Sequence, residues 1–350
     1  MELTRAGALA HRAAVQDLHG GASLDSVEVL ALGFVDSPAK TGGAGIAVRV
    51  GPEVDGLVRV LSLRGAPHLH RAADLPALRR ELRPRTPRQL AAWTGGFDAP
   101  DLDGLDLLVE LLHREFPGER ATKGELSAAV SPHLPADWTP WCEPCGSNHV
   151  VDGLFRLGTL LAGIELDHFG ARLVFRRPSG PVPAVEPEGE PTLLRAYARL
   201  VGPFSKADAE KWRGAGPPPK WPEGLRPVTV EGRRLLALED VPDAPPPPAG
   251  LLLFHRDPYL LGPRWLVAPD TAVSKRVWRS VGSRGALVVH GEVVGDWRYT
   301  FSGRTVTFHV RGWRKIKGAA RKALGDQAEL LAAVWGGLVL VPNVVEWASP

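Results

Sequence analysis

Residues 241–250 read VPDAPPPPAG. Four consecutive prolines cannot sit inside a helix or a central strand, because proline has no backbone N–H to donate and its ring fixes φ. The tract is a stiff spacer. It divides the chain into a long helix-rich part and a shorter β-rich part.

Helix signals dominate the first part. SLDSVEVLALG carries Asp25 and Glu28 at capping-box spacing and ends at Gly33. DLPALRREL (74–82) reads as a short amphipathic helix. LDLLVELLHREF (105–116) reads as a strong one, with Leu105, Leu108, Val109 and Leu112 on one face. ATKGELSAAV holds Thr122 and Glu125 as a full capping box. NHVVDGLFRLGTLLAG follows as a helix, and FGARLVFRRPSG alternates like a strand pair. Helix, capped helix, helix and two-stranded ribbon is the order of a winged helix. Weaker echoes occur twice. Residues 1–72 close on GLVRVLSLRGAPHL as strand, and residues 190–240 run from PTLLRAYARLVG through a helix capped by Ser205 to VTVEGRRLLALEDV.

Beyond the spacer, ALVVHGEVVGDWRYTFSGRTVTFHVRGW predicts a hairpin turning at Ser302-Gly303. Trp297, Tyr299 and Phe301 alternate with Arg298 and Thr300. Val306, Phe308 and Val310 alternate with Thr307, His309 and Arg311. One face is apolar and the other basic. The helix DQAELLAAVWGGL is expected to pack on the apolar face.

Charge is unevenly spread. The net charge is only +3, yet residues 273–322 hold twelve Lys/Arg against Glu292 and Asp296. That stretch is +10 and the rest −7, an asymmetry that points to a polyanion. WRKIKGAARK (313–322) interleaves Trp313 with basic groups suited to phosphate. There is no glycine-rich phosphate loop or nucleotide fingerprint, so no nucleotide cofactor is expected. No apolar run reaches bilayer-spanning length and the first residues lack a signal-peptide shape, so a cytoplasmic protein without membrane partners is expected.

The two cysteines exclude a disulfide scaffold. WCEPCGSNH offers Cys142, Cys145 and His149 as three zinc ligands, with no evident fourth; His133 and His168 are candidates. The reading adopted is two packed thiols, with no metal and no cofactor. His68 and His70 alternate on a strand, in a position to join Arg64 beside a polyanion backbone. Asp36, in GFVDSP, ends a hydrophobic run inside a Gly/Pro turn. An acid there is either a turn residue or a group doing chemistry.

Four blocks, RGAPHLHRAADLPALRREL (64–82), GPFSKADAEKWRG (202–214), RDPYLLGPRWLVAPD (256–270) and GEVVGDWRY (291–299), resemble the tandem winged-helix DNA glycosylase family. Its best-known members unhook interstrand crosslinks and confer azinomycin resistance. The resemblance implies three tandem winged helix-turn-helix modules and a β-rich C-terminal part: a mostly α (α+β) protein with β wings. The expected boundaries are 1–90, 91–185, 186–245 and 246–350. It implies a double-stranded DNA partner, and a monomer is expected. The family's Gln-apolar-Gln motif would put its glutamines on Gly33 and Val35. The Gln-apolar-Asp form would put its glutamine on Phe34 and its acid on Asp36. No glutamine is present in either register. Two readings follow. In one, the protein is a DNA N-glycosylase acting on alkylated or crosslinked bases, with Asp36 activating water. In the other, it is a non-catalytic DNA-binding sensor or regulator. Contacts to DNA are expected from Arg64, His68, His70, Arg298, Arg311, Arg314, Lys315 and Lys317.

Overall fold

A computed structural model of the chain describes residues 1–95, 101–169, 173–178, 182, 189–238, 243–279, 284–303, 305–336 and 343–348. Local sequence signals are met where capping chemistry is strong. Thr122 and Glu125 exchange both capping-box bonds at the start of the Lys123–Val130 helix. Ser205 and Asp208 do the same for Lys206–Arg213. Leu105, Leu108 and Leu112 are buried along Leu102–Arg114, with Val109 at the edge of the packed face.

One expected helix is shorter and tighter. Residues 28–32 form only a 3-10 turn, Glu28–Leu32, with no side-chain cap at Val27. Val27, Val29, Leu30 and Leu32 are all buried, so the segment packs on several sides at once and not along one stripe. The hairpin beyond the spacer is also displaced by one residue. Ser302 still pairs with Thr305, so the two-residue connection is 303–304, and residue 304 lies outside the described residues.

Twelve α-helices accompany several small sheets among the described residues, which makes the fold mixed α/β and not mostly α. Three sheets have three strands each. Their orders are Phe34–Val35, Pro67–His70, Val58–Leu61; Arg120–Thr122, Leu173–Arg176, Glu165–Phe169; and Glu2–Leu3, Arg226–Val230, Arg233–Ala237. In the third, Glu2–Leu3 runs parallel to a strand more than two hundred residues later. The fourth sheet has five strands in the order Leu251–Leu253, Gly285–Val289, Glu292–Ser302, Thr305–Gly312, Asn343–Ala348. The Gly318–Gly336 helix covers its apolar face through Ala320, Leu324, Ala328, Leu331 and Trp335. Trp335 stacks on Phe308 and meets Tyr299 and Phe301. Gln327 accepts from Leu252 N–H and donates to Leu252 C=O, completing edge-strand groups that would otherwise lack a ladder partner.

Buried charges hold these units together. Glu81 accepts from the backbone N–H groups of Leu193 and Leu194, capping the Thr192–Val201 helix from outside its own segment. Arg12 donates to the carbonyls of Val201, Tyr259 and Leu261. Arg49 is fully buried; it forks onto both carboxylate oxygens of Asp257 at 3.0 and 2.8 Å and donates to Gln16 O. No described helix is long and apolar enough to cross a membrane.

The Arg49–Asp257 pair carries a test. Removing one member of a buried pair strands the other, so Asp257→Ala is expected to lower the unfolding free energy by about 3–5 kcal/mol. Replacing both, as Arg49→Met with Asp257→Leu, is expected to cost less than Asp257→Ala alone. Denaturant titration checks both values; an unchanged midpoint for Asp257→Ala would show that the pair does not hold the units together.

Candidate functional site

The strand Phe34–Val35 sets the site by simple alternation. Gly33 and Val35 face a cavity of about 870 Å³. Phe34 and Asp36 face the protein, 2% and 0% exposed. The Thr41–Val50 helix presses close behind them. A Cβ on Gly42 would lie 3.1 Å from both Asp36 Cβ and Phe34 O, so any larger residue there would push on the Asp36 strand. Gly42 N–H donates to Asp36 Oδ1 at 2.9 Å, and Arg59 Nε donates to Oδ2 at 2.8 Å. Asp36 is therefore a doubly held carboxylate. The side chain over it, Arg59, is itself about one-quarter exposed. Gly33 has φ +72°, and a Cβ on it would strike the His70 ring at 2.3 Å. Of the three positions that the two registers would give to a glutamine, Gly33 and Val35 line the cavity and Phe34 is buried.

The two histidines do not form an exposed pair. His70 is fully buried, hydrogen-bonded to Ser62 Oγ at 3.0 Å and packed on Gly33, so it cannot reach a phosphate. Burial pushes it down to about 3. His68 is 4% exposed but lines the cavity. Its Nδ1–H donates to Ala66 O at 2.8 Å, which leaves Nε2 as the acceptor, and burial holds it down to about 4. His255, on the same wall, is also down to about 4 through burial and then Arg256.

Arg64 is exposed and sits in the left-handed region at φ 56°, just before Gly65. That conformation costs an L-residue of order 1–3 kcal/mol and is common where function fixes a side chain. It donates to Lys211 O at 3.2 Å. Arg64 lines both the central cavity and a second one of about 880 Å³ that reaches Trp93, Asp152 and Arg156.

Sequence reading missed most of the cavity's charge. Arg64, Lys211, Arg233, Arg234, Arg256, Arg264 and Arg279 line it, against Asp208 alone. Asp208 is occupied by its capping box. Three tryptophans join them, and Arg233 lies over Trp265 and Arg264 over Trp278, at 4.5 and 5.1 Å. The local signal is slight: Arg264 and Trp265 are adjacent in GPRWL, and Arg233 and Arg234 are adjacent in RRLL with no aromatic beside them.

The predicted C-terminal cations lie elsewhere on the surface. Arg298 and Arg311 are exposed on the sheet face away from the Gly318–Gly336 helix, in the cross-strand registers Arg298↔His309 and Asp296↔Arg311. Arg314, Lys315 and Lys317 are exposed in the loop that follows, with Arg314 3.8 Å from Glu292. Arg276 over Trp313, at 5.6 Å, links this loop to the Thr271–Val277 helix, and Trp278 and Arg279 continue from that helix onto the cavity wall.

Cys142 and Cys145 are free thiols but are not packed: Cys145 is exposed and Cys142 half-buried. They lie on a hairpin that stands off the core.

The chain belongs to the DNA glycosylase AlkZ-like family, whose model matches residues 53–334. It shares its fold with Streptomyces sahachiroi DNA glycosylase AlkZ, at 20% sequence identity and a TM-score of 0.71, over 99% of this chain and 100% of that one. No curated protein sequence matches it. The family match begins after Asp36, so Gly33, Val35 and Asp36 rest on the geometry alone.

The depressed histidines fix the acid response. Their folded pKa values lie below the unfolded value, so the unfolded chain binds more protons and stability is lost as pH falls from about 6.5 toward 4. Each buried histidine adds about 1.4 kcal/mol per pH unit to that slope. The melting temperature is expected to drop across this window, and His70→Gln to make the drop shallower. Identical pH profiles for the two proteins would refute the assignment.

Proposed function

We propose that the protein binds duplex DNA across the arginine-lined cavity and acts on it as an N-glycosylase for alkylated or crosslinked bases. The cavity carries this reading: seven cations and three tryptophans surround a space of about 870 Å³. Cations meet phosphates, and indole faces receive an unstacked base. Three tandem winged helices, at 1–90, 91–185 and 186–245, with a β-rich part at 246–350, are the architecture proposed to surround the DNA. Three small sheets, each associated with short helices, support it; the third includes Glu2–Leu3.

The chemistry asked of the site is modest. A base alkylated at a ring nitrogen is already cationic and departs as a neutral molecule, so no general acid is required. What remains is stabilising an oxocarbenium-like sugar and supplying water. Asp36 is proposed to supply the negative charge from behind Val35, with Arg59 as the group that must move for water to reach its carboxylate. His68 Nε2, neutral at physiological pH and open to the cavity, is proposed to orient that water. Arg64, Arg298, Arg311, Arg314, Lys315 and Lys317 are proposed to hold phosphates.

One observation favours the second reading, a DNA-binding protein without catalysis. The cavity-facing positions Gly33 and Val35 carry no polar side chain. The two readings separate in one experiment: duplexes carrying N7-methylguanine or an interstrand crosslink are incubated with protein, and abasic sites are counted. Glycosylase action predicts release by the wild type, near-complete loss in Asp36→Asn with DNA affinity retained, and faster release by Val35→Gln. Equal release by Asp36→Asn and wild type would remove Asp36 from the chemistry. No release from any duplex leaves the binding reading alone.

Binding itself has a separate measure. Affinity should fall steeply with salt through counterion release, and the joint replacement Arg314→Gln, Lys315→Gln, Lys317→Gln should flatten the log–log slope by about 2–3. An unaltered slope would take that loop out of the interface.

A further inference from the structure

Residues 141–149 form an excursion whose existence the core does not explain. Trp138 is buried at its base, where its indole meets Gly104 so closely that a Cβ there would lie 2.4 Å from Nε1. Val150 is buried at the other end. Between these anchors the chain leaves the core. Trp141 is 55% exposed, residues 143–148 are all exposed, and nothing from 139 to 149 belongs to a hydrophobic cluster. The only ladder is two residue pairs, Trp141↔Asn148 and Cys142↔Ser147. A ribbon this short with no apolar face is not stable on its own. Small units of this kind need a staple.

The staple's parts converge at the tip. The Cys142 and Cys145 sulfurs and a His149 ring nitrogen all lie within 4.8 Å of one another. The turn between the cysteines is tightly made: Glu143–Cys145 is a 3-10 turn, Gly146 adopts φ 60°, and Gly146 N–H donates to Cys142 O at 2.9 Å. The Cys145 backbone N–H is directed at the Cys142 sulfur. His149 donates Nδ1–H to Val150 O at 2.9 Å, which leaves Nε2 as the unprotonated ligand atom. Such an outer hydrogen bond is the usual device for orienting a metal-binding imidazole. Asn148 Nδ2 ties the returning strand to Thr139 O at 2.8 Å.

We infer that Cys142 Sγ, Cys145 Sγ and His149 Nε2 bind one zinc ion, with a solvent molecule as the fourth ligand, and that the metal holds the 141–149 hairpin in shape. Two thiolates and an imidazole are a soft donor set that suits zinc over calcium or magnesium. In a tetrahedral site with bonds of about 2.0–2.3 Å the ligand atoms approach to about 3.5–3.8 Å, so the cluster closes by roughly an ångström on binding. Binding releases the thiol protons to solvent and involves no change of oxidation state. The hairpin leads directly into the Asp152–Leu161 helix, where Asp152 and Arg156 line the second cavity. The metal thus stiffens the approach to that wall.

The test uses the full chain, purified under a phosphine reductant, incubated with zinc sulfate and desalted. Elemental analysis is expected to find about one zinc per chain at equilibrium, as for a structural site. Cys142→Ser with Cys145→Ser is expected to reduce it to background, and His149→Gln to weaken binding at least tenfold in a chelator competition. Cobalt substitution should give an intense near-ultraviolet sulfur-to-cobalt band, and chelator should accelerate proteolytic cutting within 139–150. Circular dichroism follows folding of the variants; should they not fold, the wild-type zinc content and the cobalt band still decide. Background zinc in the reduced wild type, or zinc unchanged in the double cysteine variant, overturns the site.

Discussion

The Arg49 guanidinium, sealed against Asp257 with no solvent exposure, is the interaction on which the arrangement of the chain depends. Its helix carries Gly42 and Gly45, which press on Phe34; its partner Asp257 begins the turn leading to Tyr259 and the cavity wall. A charge that is fully desolvated tolerates little displacement, because its counter-ion and hydrogen-bond acceptors must all stay in place. Arg12 does the same with backbone carbonyls from two distant segments, and Arg213 with Glu81 O, Ala215 O and Gly216 O. Three apolar clusters, the largest reaching from Ala8 through Val228 to Trp335, are thus tied at their margins by guanidinium forks. A guanidinium has five donors in a rigid fork, which suits it to bridging several chain segments at once.

The same rigidity shapes the site. Because the helix behind Phe34–Val35 is fixed, strand alternation alone decides which side chains meet the cavity. Asp36 falls on the protein side and is held by a backbone N–H and Arg59. The wall on the other side is built from residues far apart in sequence, Arg64, Lys211, Arg233 and Arg256 among them. Their mutual repulsion is tolerated by stacking on indoles and by an aqueous cavity that screens them.

Local signals were readable in advance. The capping boxes at Thr122 and Ser205, the buried stripe of Leu105, Leu108 and Leu112, and the alternation of Trp297 and Tyr299 with exposed Arg298 and Thr300 form as their spacing requires, while Phe301 at the strand's end is 55% exposed. What failed was whatever depends on tertiary surroundings. Val27 to Leu32 looks like a helix by composition, yet burial on several sides leaves only a 3-10 turn. His68 and His70 look like surface residues by their alternation, yet Ser62 and Gly33 enclose one and the cavity wall takes the other. The packed reading of Cys142 and Cys145 failed because burial is not written in a Cys-x-x-Cys. Cavity cations from separate segments carry no shared local pattern, so only the fold brings them together.

The pairing of Glu2–Leu3 with Arg226–Val230 has a consequence for how the chain is made. At translation rates of about 5–20 residues per second, a nascent strand at residues 2–3 waits roughly 10–45 s for its partner to leave the ribosome. The Arg49 and Arg12 sites wait longer still, since Asp257 and Leu261 follow. Closing such distant contacts is entropically slow. The early segments must therefore persist with unpaired edges and uncompensated guanidinium groups, whose charge opposes premature collapse and association between neighbouring nascent chains.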